Sequence, residues 1–368
     1  MEYEKRWFPF FIGVGITINR WFYLLIRHRF AVDISRLPSV LLVTFISILN
    51  TIIGCFENAV FNKRVDETKL IAPPLFIIGY WRTGTTHLHN LLSLDEKFTY
   101  PTTYTCLFPN HFLLTEHTLK KRLKGFLPQT RPMDNMKLSW DTPQEDEIAL
   151  ALITGLSPYI DFAFPQTPLM NHRFLDFREA TSKEIHTFKE TLSRFVRKHT
   201  YRSRKRVVLK SPTHTFRIRL LARIFPGAKF IHIVRDPVTV YLSAIHTFKI
   251  QRRLIGLKKP DDSMLELGVM KDILLCYSST REIKEHLKPD DFCEIRFEDL
   301  EKQPITEIEK IYSNLKLRGF ESVRSNLESY LASITGYKKN VYDIPDWKRD
   351  QLHRIFSPIL AEYGYRNN

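Results

Sequence analysis

The chain has 368 residues, 43% of them apolar and 26% charged, with 27 Phe, 15 Tyr and 5 Trp. That is an ordinary globular composition, long enough for one large domain or two medium ones with a substantial core. The formal net charge of +15 favours anionic partners such as nucleotides or an anionic membrane. No run of consecutive basic residues reads as a nucleic-acid arm, and no nucleic-acid partner is expected. Cys55, Cys106, Cys276 and Cys293 lie far apart with no CxxC or Cys/His ligand spacing. This excludes a disulfide framework and a zinc site, and fits free thiols in a reducing, cytoplasmic compartment.

Residues 1–70 read as helical. Phe8 to Ile26 is rich in apolar residues but carries Asn19 and Arg20, and it lacks the small-residue cleavage site of a signal peptide. Ser39 to Phe56 carries no charge and approaches the length of a bilayer span. Its two sides differ. Leu41, Leu42, Phe45, Ile46, Leu49, Ile52, Ile53 and Phe56 fall at helical spacing, whereas Ser39, Ser47, Asn50 and Gly54 interrupt the other side. The segment is therefore expected to pack on the domain or to make a peripheral membrane contact through residues 8–56.

At Ala72-Pro73-Pro74 the pattern becomes strand, glycine loop, helix. Strands are expected at Leu75–Ile78, Val207–Leu209, Lys229–Val234 and Phe292–Phe297. Helices are expected at Thr85–Leu94, 181–199, 262–287 and 304–316. This alternation predicts an α/β domain over 71–368 with a mostly parallel central sheet, preceded by an N-terminal helical cap over 1–70. Ligands of such sheets bind at the carboxyl ends of the strands.

Leu75 to Ile78 feeds Gly79-Tyr80-Trp81-Arg82-Thr83-Gly84-Thr85-Thr86. Backbone N–H groups at the start of the following helix can cradle a phosphate. The spacing of Gly79 and Gly84 matches the loop of nucleotide-triphosphate enzymes, but Thr85 stands where their lysine would reach the β and γ phosphates. A cation inside the loop, Arg82, suits a single 5′-phosphate that carries a leaving group.

These residues resemble the 5′-phosphosulfate loop of the sulfotransferases: a basic residue, Ser or Thr, then Gly-Thr-Thr. The resemblance is strongest to bacterial-type members with a GHWRSGTTHLHNLL-like loop and a KSPxH segment, and it covers roughly residues 70–365. It implies a three-layer P-loop-like fold and 3′-phosphoadenosine 5′-phosphosulfate as co-substrate, with no metal. Arg82 would neutralise the bridging oxygen, and Thr83, Gly84, Thr85 and Thr86 would hold the 5′-phosphate. His87 stands where cytosolic members carry the Trp that stacks on adenine.

The strand Phe230–Val234 ends in Arg235-Asp236-Pro237, and Ser243 follows Arg235 by eight residues. This resembles the family's 3′-phosphate site, where the planar fork of an Arg suits a phosphate. Lys338 and Lys339 partly keep a late basic loop that grips the same group. Phe297-Glu298-Asp299-Leu300 resembles the strand-end motif after the family's last core strand. Lys210, at another strand end, is expected to assist the transferring sulfuryl group.

Two candidates remain for the base that takes the acceptor's proton. His214 follows Lys210 by four residues. Glu147 lies in the acidic cluster Glu145-Asp146-Glu147, where Thr142-Pro143-Gln144-Glu145 reads as a capping box that accounts for Glu145. The acceptor is expected to be a hydroxyl or amine, on a small molecule or lipid. The rival readings are a P-loop nucleotide kinase or NTPase, and a non-catalytic lipid- or membrane-binding protein that keeps the fold.

Overall fold

A computed structural model describes residues 13–131, 136–165, 169–334, 342 and 344–365. Five strands form one sheet: β1 Leu75–Ile78, β2 Phe98–Thr99, β3 Arg206–Lys210, β4 Lys229–Val234 and β5 Phe292–Arg296, in the order β2-β3-β1-β4-β5. The helices are α1 Ile18–Arg27, α2 Leu37–Asp66, α3 Thr85–Leu92, α4 Thr103–Leu107, α5 Phe112–Arg122, α6 Asp146–Thr154, α7 Ile160–Ala163, α8 Ser182–Ser203, α9 Ile218–Ile224, α10 Pro237–Ile255, α11 Leu265–Lys284, α12 Phe297–Lys302, α13 Pro304–Asn314, α14 Glu321–Ser333 and α15 Asp346–Glu362. The mostly parallel α/β architecture expected from the alternation of apolar runs is the one observed.

The chain divides into two compact units. One runs to Ala72 and takes in Thr99–Leu209 and Phe248–Asp262. The other comprises Pro73–Phe98, Lys210–Thr247 and the residues from Ser263 onward.

In the second unit, β1 and β4 pair in parallel with Leu75 opposite Lys229, and β4 pairs in parallel with β5. All four residues of β1 are buried. A central parallel strand is covered on both faces, so its sequence reads as an unbroken apolar run rather than an alternation. Parallel pairing brings the ends of β1 and β4, and hence Gly79 and Arg235, to one edge of the sheet. The turn into α10 is set locally. The Asp236 carboxylate accepts from the Thr239 N–H at 2.6 Å, and Pro237 opens the helix, where its missing N–H leaves no bond unmade.

In the first unit, Thr181 and Glu184 form a reciprocal capping box that starts α8. The box expected at Thr142–Glu145 is not formed. Helix α6 begins at Asp146 with Glu145 as its N-cap and no side-chain cap. The Thr142 hydroxyl accepts from the Ser139 N–H at 2.9 Å, and the Glu145 carboxylate accepts from the Tyr159 hydroxyl.

Helix α2 has the two-sided character read from its spacing, but its apolar side faces out. Leu41, Leu42, Phe45, Leu49, Ile52 and Phe56 are 44–70% exposed, while Val43, Ser47, Asn50, Gly54 and Glu57 are buried. The helix packs on its unit, but not through that apolar side. The polar side packs instead, because it finds hydrogen-bond partners within its own unit.

Candidate functional site

The phosphate loop is built by two glycines. Gly79 leaves β1 at φ +148°, where a Cβ would sit 2.6 Å from the Ile233 carbonyl oxygen. Gly84 has φ +99° and is the N-cap of α3, and a Cβ there would lie 2.2 Å from the Phe297 ring. Neither position tolerates a side chain, which accounts for the spacing. The loop is closed by the Thr83 hydroxyl donating to the Tyr80 carbonyl at 2.8 Å. It is fastened to the turn after β3 by the Gly79 N–H donating to the Thr215 hydroxyl at 2.8 Å. No side chain caps the start of α3, so the helix presents its first amides to an incoming anion.

Cations converge on this loop within the second unit. Arg82 adopts φ +72°, and its Nε donates to the Ser243 hydroxyl at 3.0 Å. Arg235 donates to the Arg82 carbonyl at 3.0 Å, and its guanidinium stacks over Phe297 at 4.3 Å. Burial lowers the Arg235 pKa. The nearby positive charge of Arg82 acts in the same direction, while Glu298, Glu301 and Asp236 oppose it. The positive charges of Arg82 and Arg235 act on one another, and an anion beside them would relieve that repulsion. Lys210, at the end of β3, is fully buried and donates from Nζ to the Thr86 hydroxyl at 3.3 Å.

The structure thus brings Arg82, Thr83, Gly84, Thr85, Thr86, Lys210, Arg235 and Ser243 to one strand-end region. His87 sits in the first turn of α3, and burial lowers its pKa, with Glu301 opposing. His214 lies in a short 3-10 turn, Pro212–Phe216, its ring edge-on to Phe76 at 5.4 Å. Glu147 belongs to the other unit. It is buried in α6 and accepts from the Ser157 hydroxyl at 2.6 Å. Lys338 and Lys339 lie outside the described residues.

Three participants had no role assigned to them from the sequence. The Tyr342 hydroxyl is 3.2 Å from that of Ser243. His246, one turn beyond Ser243 on α10, lies against the Tyr342 ring at 5.7 Å. Phe297 supports both Gly84 and Arg235. Only Phe297 left a signal, as the first residue of the strand-end motif.

The donor set fits a nucleotide with two separated anionic groups: uncapped amides and hydroxyls at one end, a pair of arginines with Ser243 at the other. Residues 73–322 match the family model described as "Sulfotransferase family". The chain belongs to the sulfotransferase family. Among relatives, an omega-hydroxy-beta-dihydromenaquinone-9 sulfotransferase, Stf3, from Mycobacterium bovis is 42% identical over 354 residues, covering 96% of this chain and 91% of that protein. The Mycobacterium tuberculosis protein of the same name matches to the same extent. Among solved structures, sulfotransferase STF9 from Mycobacterium avium aligns with a TM-score of 0.68 at 16% identity, over 95% of this chain and 97% of that one. STF1 from M. tuberculosis aligns at 0.63 and 15%, over 93% and 92%. These structural likenesses establish the shared sulfotransferase fold, and the family's reaction is sulfuryl transfer.

Proposed function

We propose that this sulfotransferase takes its sulfuryl group from 3′-phosphoadenosine 5′-phosphosulfate and passes it to the hydroxyl of a lipid. The observation that carries the donor assignment is the chain of contacts Arg235–Arg82–Ser243, joined through one loop to the open amides of α3. A kinase would need a cation at position 85, and Thr85 stands there.

In this reading Thr83 to Thr86 hold the 5′-phosphate, and Arg235 and Ser243 hold the 3′-phosphate. Arg82 reaches across both groups. The donor supplies a sulfuryl group on a phosphate leaving group. Lys210, beside Thr86, faces the charge that develops on that leaving oxygen. The acceptor oxygen bonds to sulfur as the bond from sulfur to the phosphate oxygen breaks, and the acceptor proton passes to His214. We favour His214, which lies in the same compact unit as the loop and Lys210, and hold Glu147, buried in α6 where it accepts from Ser157, as the alternative that the test below decides.

The acceptor class follows the relative whose printed name specifies omega-hydroxy-beta-dihydromenaquinone-9. We take it to be a hydroxylated polyprenyl quinone or a similar long-chain alcohol. The enzyme would then be cytoplasmic and work at the membrane surface. The test is transfer from the radiolabelled donor to a hydroxylated menaquinone in detergent, with His214→Asn and Glu147→Gln beside the native enzyme. Loss of transfer in the His214 variant, with near-native rates in the Glu147 variant, is expected. The reverse pattern would move the base to Glu147, and no transfer by the native enzyme would end the acceptor assignment.

A further inference from the structure

Helix α2 is built inside out. Its buried side is polar, and almost every polar group on it is matched. The Asn50 amide donates to the Val14 and Ile16 carbonyls at 2.7 and 3.1 Å, and its oxygen meets His111 Nε2 at 3.0 Å. Thr51 accepts from the Ile18 N–H, and Thr44 accepts from the Trp21 indole, both at 2.9 Å. Glu57 pairs with Lys198 of α8 and accepts from the Leu114 N–H at 3.0 Å. These bonds fix the helix's rotation, since turning it would bury an unpaired amide and an unpaired carboxylate.

The outward side is a continuous apolar stripe. Leu37, Leu41, Phe45, Leu49, Ile52 and Phe56 recur every three or four residues and are 44–70% exposed. Val60 extends the stripe at 51%. From Leu37 to Asn62 the only charged residue is Glu57, which is buried. Phe30 and Ile34, before the helix, add 58% and 86% exposed apolar side chains. The stretch Ile34–Asp66 has a mean hydropathy of 2.2 over its most apolar window, only 22% of which is buried. Patches this large on a soluble surface mark a contact site.

The ends of the stripe indicate what covers it. The corner between α1 and α2 is basic. The Arg36 guanidinium donates to the Arg253 carbonyl at 3.0 Å, and Asp33 accepts from the Lys259 N–H at 2.8 Å. Arg29, Arg253, Lys258 and Lys259 are exposed around it. At the other end, Lys63 and Arg64 in the last turn of α2 are offset by Asp66 and by Glu67, which pairs with Lys63 at 4.0 Å. An uncharged apolar stripe that starts at a cationic corner complements an anionic lipid surface, with hydrocarbon along the stripe and phosphate at the corner.

We infer that α2 docks this protein on an anionic bilayer as a one-sided, interfacial helix rather than a span. A spanning helix would have lipid all round it, but the Asn50–Glu57 side is bonded to its own unit. The inference deepens the lipid-acceptor reading and rests on it for its purpose: an enzyme seated in this way meets a long-chain acceptor without extracting it into water.

The test uses the full chain with vesicles of phosphatidylglycerol and phosphatidylcholine, or of phosphatidylcholine alone. Cys55 is an exposed cysteine on α2 and the other three are buried, so an environment-sensitive thiol probe reports from the helix itself. Flotation with the mixed vesicles and a blue shift of the Cys55 probe are expected, with binding about tenfold weaker to phosphatidylcholine alone. L41E/F45E/L49E should abolish flotation, and K258E/K259E should erase the preference for anionic lipid. Calorimetric binding of 3′-phosphoadenosine 5′-phosphate, measured without lipid, verifies that each variant is folded. Native protein that binds the bisphosphate but neither floats nor shifts the probe overturns the docking alone. A dimer that buries the Cys55 probe without lipid overturns it in favour of a second copy, and retention in vesicles through alkaline washing overturns it in favour of a span. Failure of bisphosphate binding by the native protein strikes the sulfuryl-donor reading instead.

Discussion

Replacing Arg235 with alanine separates recognition of the 3′-phosphate from support of the loop. The Arg235 guanidinium donates a 3.0 Å hydrogen bond to the Arg82 carbonyl and stacks on Phe297. If the guanidinium also pairs with the 3′-phosphate, its removal forfeits charged hydrogen bonds worth about 2–3 kcal/mol, or roughly 30- to 150-fold in affinity. That loss should appear only for ligands that carry the 3′-phosphate. Calorimetry of 3′-phosphoadenosine 5′-phosphate and of adenosine 5′-phosphate, on native protein and Arg235→Ala, isolates the coupling. The bisphosphate should weaken by the full amount and the monophosphate by less than about threefold. Equal losses for both ligands would refute the reasoning, because they would mean that Arg235 acts only by holding the Arg82 carbonyl and the loop.

Other consequences follow from the same contacts. Lys210→Met should lower kcat by about a hundredfold while changing bisphosphate affinity little, since the amine faces the leaving oxygen; single-turnover kinetics read this. Gly84→Ala meets both a positive φ and the Phe297 ring. It should destabilise the fold by about 2 kcal/mol or more and abolish nucleotide binding, as thermal melts and calorimetry will register. In the second unit, burial would raise the Glu294 pKa, but its bonds to His232 and Lys284 outweigh this and hold the carboxyl down at about 2. A carboxyl depressed in the folded state contributes stability that is present above its unfolded pKa and lost as pH falls through the folded value. Glu294→Gln should therefore remove up to about 3 kcal/mol at neutral pH and flatten the acid limb below about pH 4.5 in denaturant titrations. Lys198→Met should destabilise by about 3–5 kcal/mol by leaving Glu57 buried and uncompensated, with much of the loss recovered in the Glu57→Gln/Lys198→Met double variant.

The strands and the phosphate loop were legible in the sequence because their determinants are local. Leu75–Ile78 is an apolar run closed by a glycine, and Gly79 and Gly84 stand where backbone geometry forbids a side chain. The orientation of α2 was not legible. Periodicity identifies two faces but does not say which is inward, and an apolar face is ordinarily the buried one. What reverses it is long-range pairing: Asn50 with His111, and Glu57 with Lys198 across 141 positions. Glu57, the one charge between Leu37 and Asn62 and at heptad spacing from Asn50, was the available signal. The capping box at Thr142 failed for a related reason, since the Thr142 hydroxyl is held by Ser139 and the Glu145 carboxylate by Tyr159. Tyr342 reaches Ser243 only through the folding of a distant segment, and His246, one turn beyond Ser243 on α10, is marked only by its contact with that tyrosine, so no spacing in the chain announces them.

The proposed reaction is sulfuryl transfer from a 3′-phosphorylated donor. It is tested most directly by incubating purified protein with radiolabelled 3′-phosphoadenosine 5′-phosphosulfate and a hydroxylated menaquinone, without added metal, and following the label into the lipid phase. A labelled lipid sulfate formed one for one with 3′-phosphoadenosine 5′-phosphate is expected, and its loss in Arg82→Ala. Label transfer that is indifferent to Arg82, or proceeds equally well from a donor lacking the 3′-phosphate, would contradict it.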